Sequence, residues 1–451
     1  MKPDQAQRLG TAAIGPLLWQ FSLPAIVGML VQSLYNVVDR IFVGRGVGEL
    51  GLAGVTVCFP FMLLIMAFSM LIGVGGTALI SMRLGEGRKA EAEKVLANAM
   101  LLMVLISLVL TAVGLILLEP LLRLFGASPT VMPFAAPFMR IILYGTVFSV
   151  IGHGMNNFIR GEGNPARAML TMLSGAALNV VLAPLFIFRL GWGIEGAALA
   201  TIISQALAAS LVLGYFFSGH SLVRVRLKNF RIEPAVVRPI VAIGAAPCAL
   251  QLGSSLLNTI LNHQLYRYGG DQAVSVMGII FAVILLLLMP IFGICQGAQP
   301  IIGYNYGARQ FGRVRQTLIY AAAAATAIAL AGYLAVMLAP EAIISLFAKG
   351  NAGLIESGRH GLRLFLCMLP VVGFQIVSSQ YFMAVGKARL SMLLGLSRQI
   401  LVLIPLLMLL PLIYGLDGCW YAGPLADLSS ALLTGWFLRR ELSHLERADA
   451  N

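Results

Sequence analysis

Twelve runs of mostly apolar residues, each about 20 or more long, follow one another from Ile14 to about residue 438. A helix rises about 1.5 Å per residue, so about 20 residues cross a hydrocarbon layer roughly 30 Å thick. Inside that layer the backbone must bond to itself, which leaves helices or closed barrels. The period-two alternation of a barrel strand is absent. Only 11% of the residues are charged, against roughly 25% in soluble domains. The expected fold is an all-α, multi-pass membrane protein.

The runs fall roughly at 15–43, 52–81, 95–118, 131–157, 166–188 and 194–217, then at 237–266, 273–304, 316–338, 360–385, 388–413 and 418–438. The first run is long and lacks a small-residue cleavage site, so it reads as a retained span. Between the two sets lies 218–236, a stretch with Arg224, Arg226, Lys228 and Arg231. The expected organisation is an N-terminal lobe over 1–217, a cytoplasmic linker over 218–236 and a C-terminal lobe over 237–451.

The formal charge of +13 raises the question of nucleic acid, but its placement points to a membrane. With the N-terminus inside, alternate loops and the tails hold 21 Lys or Arg and the opposite loops hold 8. That bias places both termini in the cytoplasm of a cell (inner) membrane protein. No nucleic-acid partner is expected, membrane lipid is, and nothing demands an oligomer.

The halves repeat. A shift of 222 residues carries Asn36 onto Asn258, Gly75 onto Gly297, Gly85 onto Gly307 and Glu119 onto Glu341. The same shift carries Ala166-Arg167 onto Ala388-Arg389 and Gly193-Ile-Glu195-Gly196 onto Gly415-Leu-Asp417-Gly418. Six spans per lobe start both lobes on one membrane face, which makes a parallel repeat. Transporters with such repeats hold substrate between them.

The chemistry concentrates on Gln32-Ser-Leu-Tyr35-Asn36-Val-Val-Asp39. On a helix, Gln32, Tyr35, Asn36 and Asp39 share one face at i, i+3, i+4 and i+7. An acid in an apolar helix is expected to face a protein-lined cavity, and desolvation favours its binding a proton. The competing structural role is a hydrogen bond between helices. Asp427 is the other acid well inside a run. The counterpart of Asp39 in the second half is Leu261, on a run carrying Gln251, Ser254, Ser255 and Asn258. One lobe thus offers a titratable group and the other hydrogen bonds. Met66 and Met289 are candidate cavity-lining residues, since thioethers suit varied apolar cations.

Cys58, Cys248, Cys295, Cys367 and Cys419 are scattered singly, so neither a disulfide framework nor a zinc site is indicated. No HExxH, GxSxG or P-loop motif occurs, and an enzyme is not expected. No cofactor is expected beyond a coupling ion, H+ or Na+.

Several segments resemble the MATE (multidrug and toxic compound extrusion) family, in its MepA-like branch. They are Leu34-Tyr35-Asn36-Val-Val-Asp39-Arg-Ile-Phe42-Val-Gly44, Gln299-Pro300-Ile-Ile-Gly303-Tyr304-Asn305-Tyr306-Gly307-Ala308, Ala384-Val-Gly386-Lys387, Arg398-Gln399 with Ile404-Pro405, and Ala426-Asp427. The resemblance implies twelve transmembrane helices in two six-helix lobes. It also implies a cation-coupled antiporter that exports organic, mostly cationic compounds by alternating access. In that family a first-helix Asp, a fifth-helix Asn and Asp four apart, and a sixth-helix Thr form a cation site. Asp39, Asn179 and Thr201 match, whereas Ala183 stands where the second Asp would be. The loss of one carboxylate favours a proton over sodium. Two other functions compete: a lipid-linked oligosaccharide flippase of the same superfamily, which wants several buried Arg or Lys, and a passive channel or scaffold.

Overall fold

The computed structural model describes residues 4–125, 127–219, 221–345 and 352–449, which are helical nearly throughout, with no strand among them. The first half holds α1 (Ile14–Gly46), α2 (Glu49–Gly85), α3 (Lys89–Ile116), α4 (Met132–Tyr144), α5 (Thr146–Gly161), α6 (Pro165–Pro184) and α7 (Gly193–Phe217). The second half holds α8 (Pro234–Gly307), broken at Gly270, then α9 (Phe311–Leu338), α10 (Ala352–Phe365) and α11 (Leu369–Ala384). It ends with α12 (Ala388–Leu396), a wide π-helical turn at Ser397–Leu403, α13 (Ile404–Tyr414) and α14 (Leu416–Asp449).

Among the described residues nine stretches are long and apolar enough to cross a membrane, and eleven if each of two bent pairs counts as one span. The pairs are α4 with α5, bent by 55°, and α10 with α11, bent by 49°. The sequence reading has each of these as one uninterrupted run, and local chemistry explains both breaks. Gly145 ends α4 with its N–H shared between the carbonyls of Ile141 and Ile142. Pro370, at the start of α11, has no N–H to continue a helix. The twelfth run, 418–438, lies on α14, where Pro424 and Asp427 interrupt its apolar character.

The repeat is written in the backbone as well. Left-handed φ values at Gly48, Gly87 and Gly193 recur 222 residues on, at Gly270, Arg309 and Gly415. Arg309 is the one non-glycine in that conformation among the described residues. Four helices end in the same hydrogen-bonded wrap, in which an N–H reaches back five residues. The pairs are Arg88 to Arg83, Asn164 to Ile159, Gln310 to Asn305 and Lys387 to Phe382, at 2.8–3.1 Å. The left-handed residue of each wrap is Gly87, Gly163, Arg309 or Gly386. These ends carry Arg83, Arg88, Lys89, Arg160, Arg309, Arg313 and Lys387, so the tight turns and the basic residues coincide.

The chain forms two compact units, and their limits differ from the expected lobes. Unit 1 comprises Met1–Ala12 and Val27–Cys248, and unit 2 comprises Ala13–Ile26 and Ala249–Asn451. The first half of α1 therefore packs with the second half of the chain, and the first part of α8 packs with the first half. Small residues make both arrangements possible. In unit 1 a Cβ on Gly244 of α8 would lie 1.6 Å from the Leu71 carbonyl oxygen of α2, and one on Gly75 would lie 2.1 Å from the Ile240 carbonyl oxygen. In unit 2 a Cβ on Gly297 would lie 2.7 Å from the Ser22 backbone nitrogen of α1, and one on Gly293 would lie 2.8 Å from that of Ile26. Gly75 and Gly297 are repeat partners, as are Ser22 and Gly244. Lipid supplies no hydrophobic drive between helices, so this close backbone approach is a main source of packing energy.

The linker is part of unit 1, not a loose tether. Buried Glu93 of α3 bonds Arg226 Nε at 2.6 Å and the Arg224 N–H at 3.4 Å. Lys94 pairs with Glu233 at 3.2 Å, and the Glu233 N–H donates to Asn98 Oδ1 at 2.9 Å.

Substituting Gly75 or Gly244 by Val should destabilise the protein by about 1–3 kcal/mol or more through overpacking. Gly214→Ala, whose added methyl meets nothing within 4 Å, should be near neutral. Thermal unfolding of the detergent-purified variants, followed by intrinsic fluorescence, checks both.

Candidate functional site

Three helices of unit 1 bring the expected coupling residues together. Asn179 of α6 and Thr201 of α7 are almost fully buried. The Asn179 amide donates to Thr201 Oγ1 at 3.4 Å, and the Thr201 hydroxyl donates to the Ala197 carbonyl at 3.0 Å. Tyr35 of α1 lies near the Thr201 side chain and within electrostatic reach of Asp39. The Oδ1 atom of Asp39 is shut off from solvent. Among the described groups the cluster runs from the Asp39 carboxylate to the Tyr35 phenol, and from there to the Thr201 hydroxyl and the Asn179 amide. Ala183, one turn from Asn179 on α6, is fully buried and offers no oxygen beyond its backbone. Tyr35, a candidate cavity-lining residue, is half-buried next to these side chains.

The side chains of Gln32, Asn36 and Ser255 lie outside the described residues. Met66 is exposed, and Met289 is half-buried. In unit 2, Gln251 is half-buried and Asn258 is exposed on α8. Ser254 exchanges hydrogen bonds with Gln399 at 3.0–3.2 Å and donates to the Leu250 carbonyl at 2.9 Å. The neighbouring Arg398 donates through Nε to Asp427 Oδ1 of α14 at 2.5 Å. Asp427, the other acid well inside a run, is half of an ion pair.

Glu162 escaped the sequence reading. It follows α5 in a Gly161-Glu162-Gly163 turn and is 1% exposed. Tyr215 donates to its carboxylate at 3.1 Å, as do the N–H groups of Leu222 and Val223, each at 3.1 Å. The Ser221 hydroxyl completes the set. Burial nevertheless pushes the Glu162 carboxyl up to about 7, against the four donors that pull it down. No local spacing reveals this, because its partners lie 53–61 residues away. Together Glu162 and Glu93 fasten the linker to unit 1.

The MatE family model matches the chain twice, over residues 24–185 and 247–409. The chain belongs to the MatE family. The two matches fall on the two halves of the internal repeat. The chain is 24% identical over 433 residues to the multidrug export protein MepA of Staphylococcus haemolyticus, covering 96% of this chain and 95% of that protein. It is 23% identical over 446 residues to MepA of a Staphylococcus aureus strain, covering 98% of each. Among solved structures it is similar to the MATE multidrug transporter DinF-BH, at 39% identity and a TM-score of 0.90, over 97% of this chain and 98% of that one. It is also similar to a MOP superfamily transporter from Pyrococcus furiosus, at 27% identity and a TM-score of 0.92, over 99% of this chain and all of that one. It is a multi-pass membrane transporter of this family.

The raised Glu162 value fixes the sign of a pH effect. Above the unfolded carboxyl value of 4.5 and up to about 7, the folded state holds a proton that the unfolded state has lost. The group's contribution to stability is therefore full below about 4.5 and is lost as pH rises through about 7. The unfolding temperature should fall between about pH 5 and pH 8, and Glu162→Gln should flatten that fall, as read by melting curves across the range.

Proposed function

We propose that the chain is a proton-coupled antiporter that exports organic, mainly cationic, compounds by alternating access. The observation that carries this reading is the cluster in unit 1, where Asp39 lies near Tyr35, and Tyr35 lies near the bonded pair Asn179 and Thr201. One carboxylate can hold one positive charge at a time. A proton and an organic cation then compete for it, and that competition couples the two fluxes. Sodium asks for several oxygen ligands, preferably with more than one negative charge, and Ala183 removes the second carboxylate that the family resemblance leads one to expect.

The related proteins support the substrate class. The Staphylococcus relatives are multidrug export proteins, and DinF-BH is a multidrug transporter. The basic ends of the helices support a cytoplasmic placement of the tight-turn face and of both termini.

The test is transport of a fluorescent organic cation by protein reconstituted in vesicles, with pH and sodium gradients imposed separately. The parent should respond to the pH gradient and ignore the sodium gradient. Asp39→Asn should lose at least about tenfold in gradient-driven flux, corresponding to roughly 1.4 kcal/mol, while inserting normally. Parental flux from Asp39→Asn under a pH gradient sinks the assignment of Asp39, and a response to sodium alone sinks proton coupling.

A further inference from the structure

Arg398 is placed where a cation is expensive, inside the membrane-crossing stretch Ala388–Tyr414. Its partner Asp427 is nearly buried, with 10% of its side chain exposed, while Arg398 keeps 28% exposed. The guanidinium has five N–H donors, and one of them, on Nε, meets Asp427. Among the described residues its Nη groups have no hydrogen-bond partner. The charge is thus neutralised from one side, and the N–H groups of the fork at the other side are open to a further acceptor.

The backbone at this point is unusual too. Arg398 and Gln399 sit on the π-helical turn Ser397–Leu403. The wider turn lets two consecutive residues serve two different helices: Arg398 reaches Asp427 on α14, and Gln399 reaches Ser254 on α8. Such turns are rare and concentrate at functional sites. If the pair only fastened α14 to its neighbour, a neutral hydrogen bond would do so without the desolvation cost of two ions. Unit 2 makes such bonds elsewhere, for example Gln375 to Ser430 at 3.0 Å between α11 and α14.

We propose that Arg398 is a ligand-binding residue of unit 2, whose free guanidinium edge takes the carboxylate of an organic substrate. Asp427 acts as a positioning residue. Its bond to Nε fixes the plane of the guanidinium and leaves the fork pre-aimed, the geometry that favours two parallel N–H···O bonds to a carboxylate. The charged and titratable groups facing the pair are few: Cys367, between α10 and α11, feels the Asp427 charge. Gln399 and Ser254 add neutral donors nearby. The site serves those compounds that carry a carboxylate. It rests on the reading of the chain as an exporter of small organic compounds.

The test uses two xanthene dyes that differ in one group, a rhodamine with a free benzoate and its methyl ester, binding to full-length protein in detergent by fluorescence anisotropy. The parent should bind both. Arg398→Gln should weaken the free acid at least about tenfold, roughly 1.4 kcal/mol, and change the ester less than about twofold. Arg398→Lys should restore part of the loss as a point charge without the fork. Because Arg398→Gln strands the Asp427 charge, the neutral double variant Arg398→Gln/Asp427→Asn keeps a folded sample in hand and should show the same selective loss. Equal changes for both dyes, or none, overturn the proposal. So does a parent that binds the ester alone, a result that leaves the exporter reading intact. Failure of the parent to move either dye across vesicles under any gradient, with selective binding preserved, overturns the exporter reading and leaves Arg398 as a carboxylate site.

Discussion

A charge in hydrocarbon has to be answered by protein, and the placement of nearly every ionised group in this chain follows from that. Basic residues collect at the ends of helices, where water and headgroups solvate them. The acids that go deep are each engaged. Asp427 has Arg398, and Glu441 of α14 is held by Lys387 at 2.6 Å. Glu93 and Glu162 are wrapped by the linker. Asp39 lies near the phenol of Tyr35, which in turn lies near the Thr201 hydroxyl and its Asn179 partner.

The units share a backbone and diverge in chemistry. Left-handed turns and bent pairs recur at the same interval in both halves. The polar groups do not. Unit 1 gathers a carboxylate with neutral oxygens on α1, α6 and α7, whereas unit 2 gathers an ion pair and an amide–hydroxyl exchange around a π-helical turn. A duplicated scaffold fixes where helices stop and cross, and leaves the few inward side chains free to take different roles.

Periodicity and length made the membrane-crossing helices legible in the sequence, because 20-residue apolar runs have few other uses. The repeat was legible because glycines and acids at helix ends tolerate few substitutes. Asp39 stood out as a polar residue in the wrong solvent. The bends at Gly145 and before Leu369 were not legible, since apolar composition continues through both. Neither were the partners of Glu162 or the Arg398–Asp427 pair. Those contacts join residues 29 to 61 positions apart, and nothing in local spacing distinguishes a buried acid in a turn from a solvated one. The compact units also depart from the repeat boundaries, because a small residue such as Gly244 shows how close a backbone can come and not which backbone will arrive.

That departure bears on how such a chain arose and how it matures. Each unit is completed by about half a helix drawn from the other half of the sequence. A half-length ancestor with the same pattern would have been whole only as a domain-swapped homodimer, each copy lending the start of its first helix to its twin. In this chain the exchange is intramolecular. During synthesis, Ala13–Ile26 leaves the ribosome long before the residues it packs with, so this segment reaches its final neighbours late.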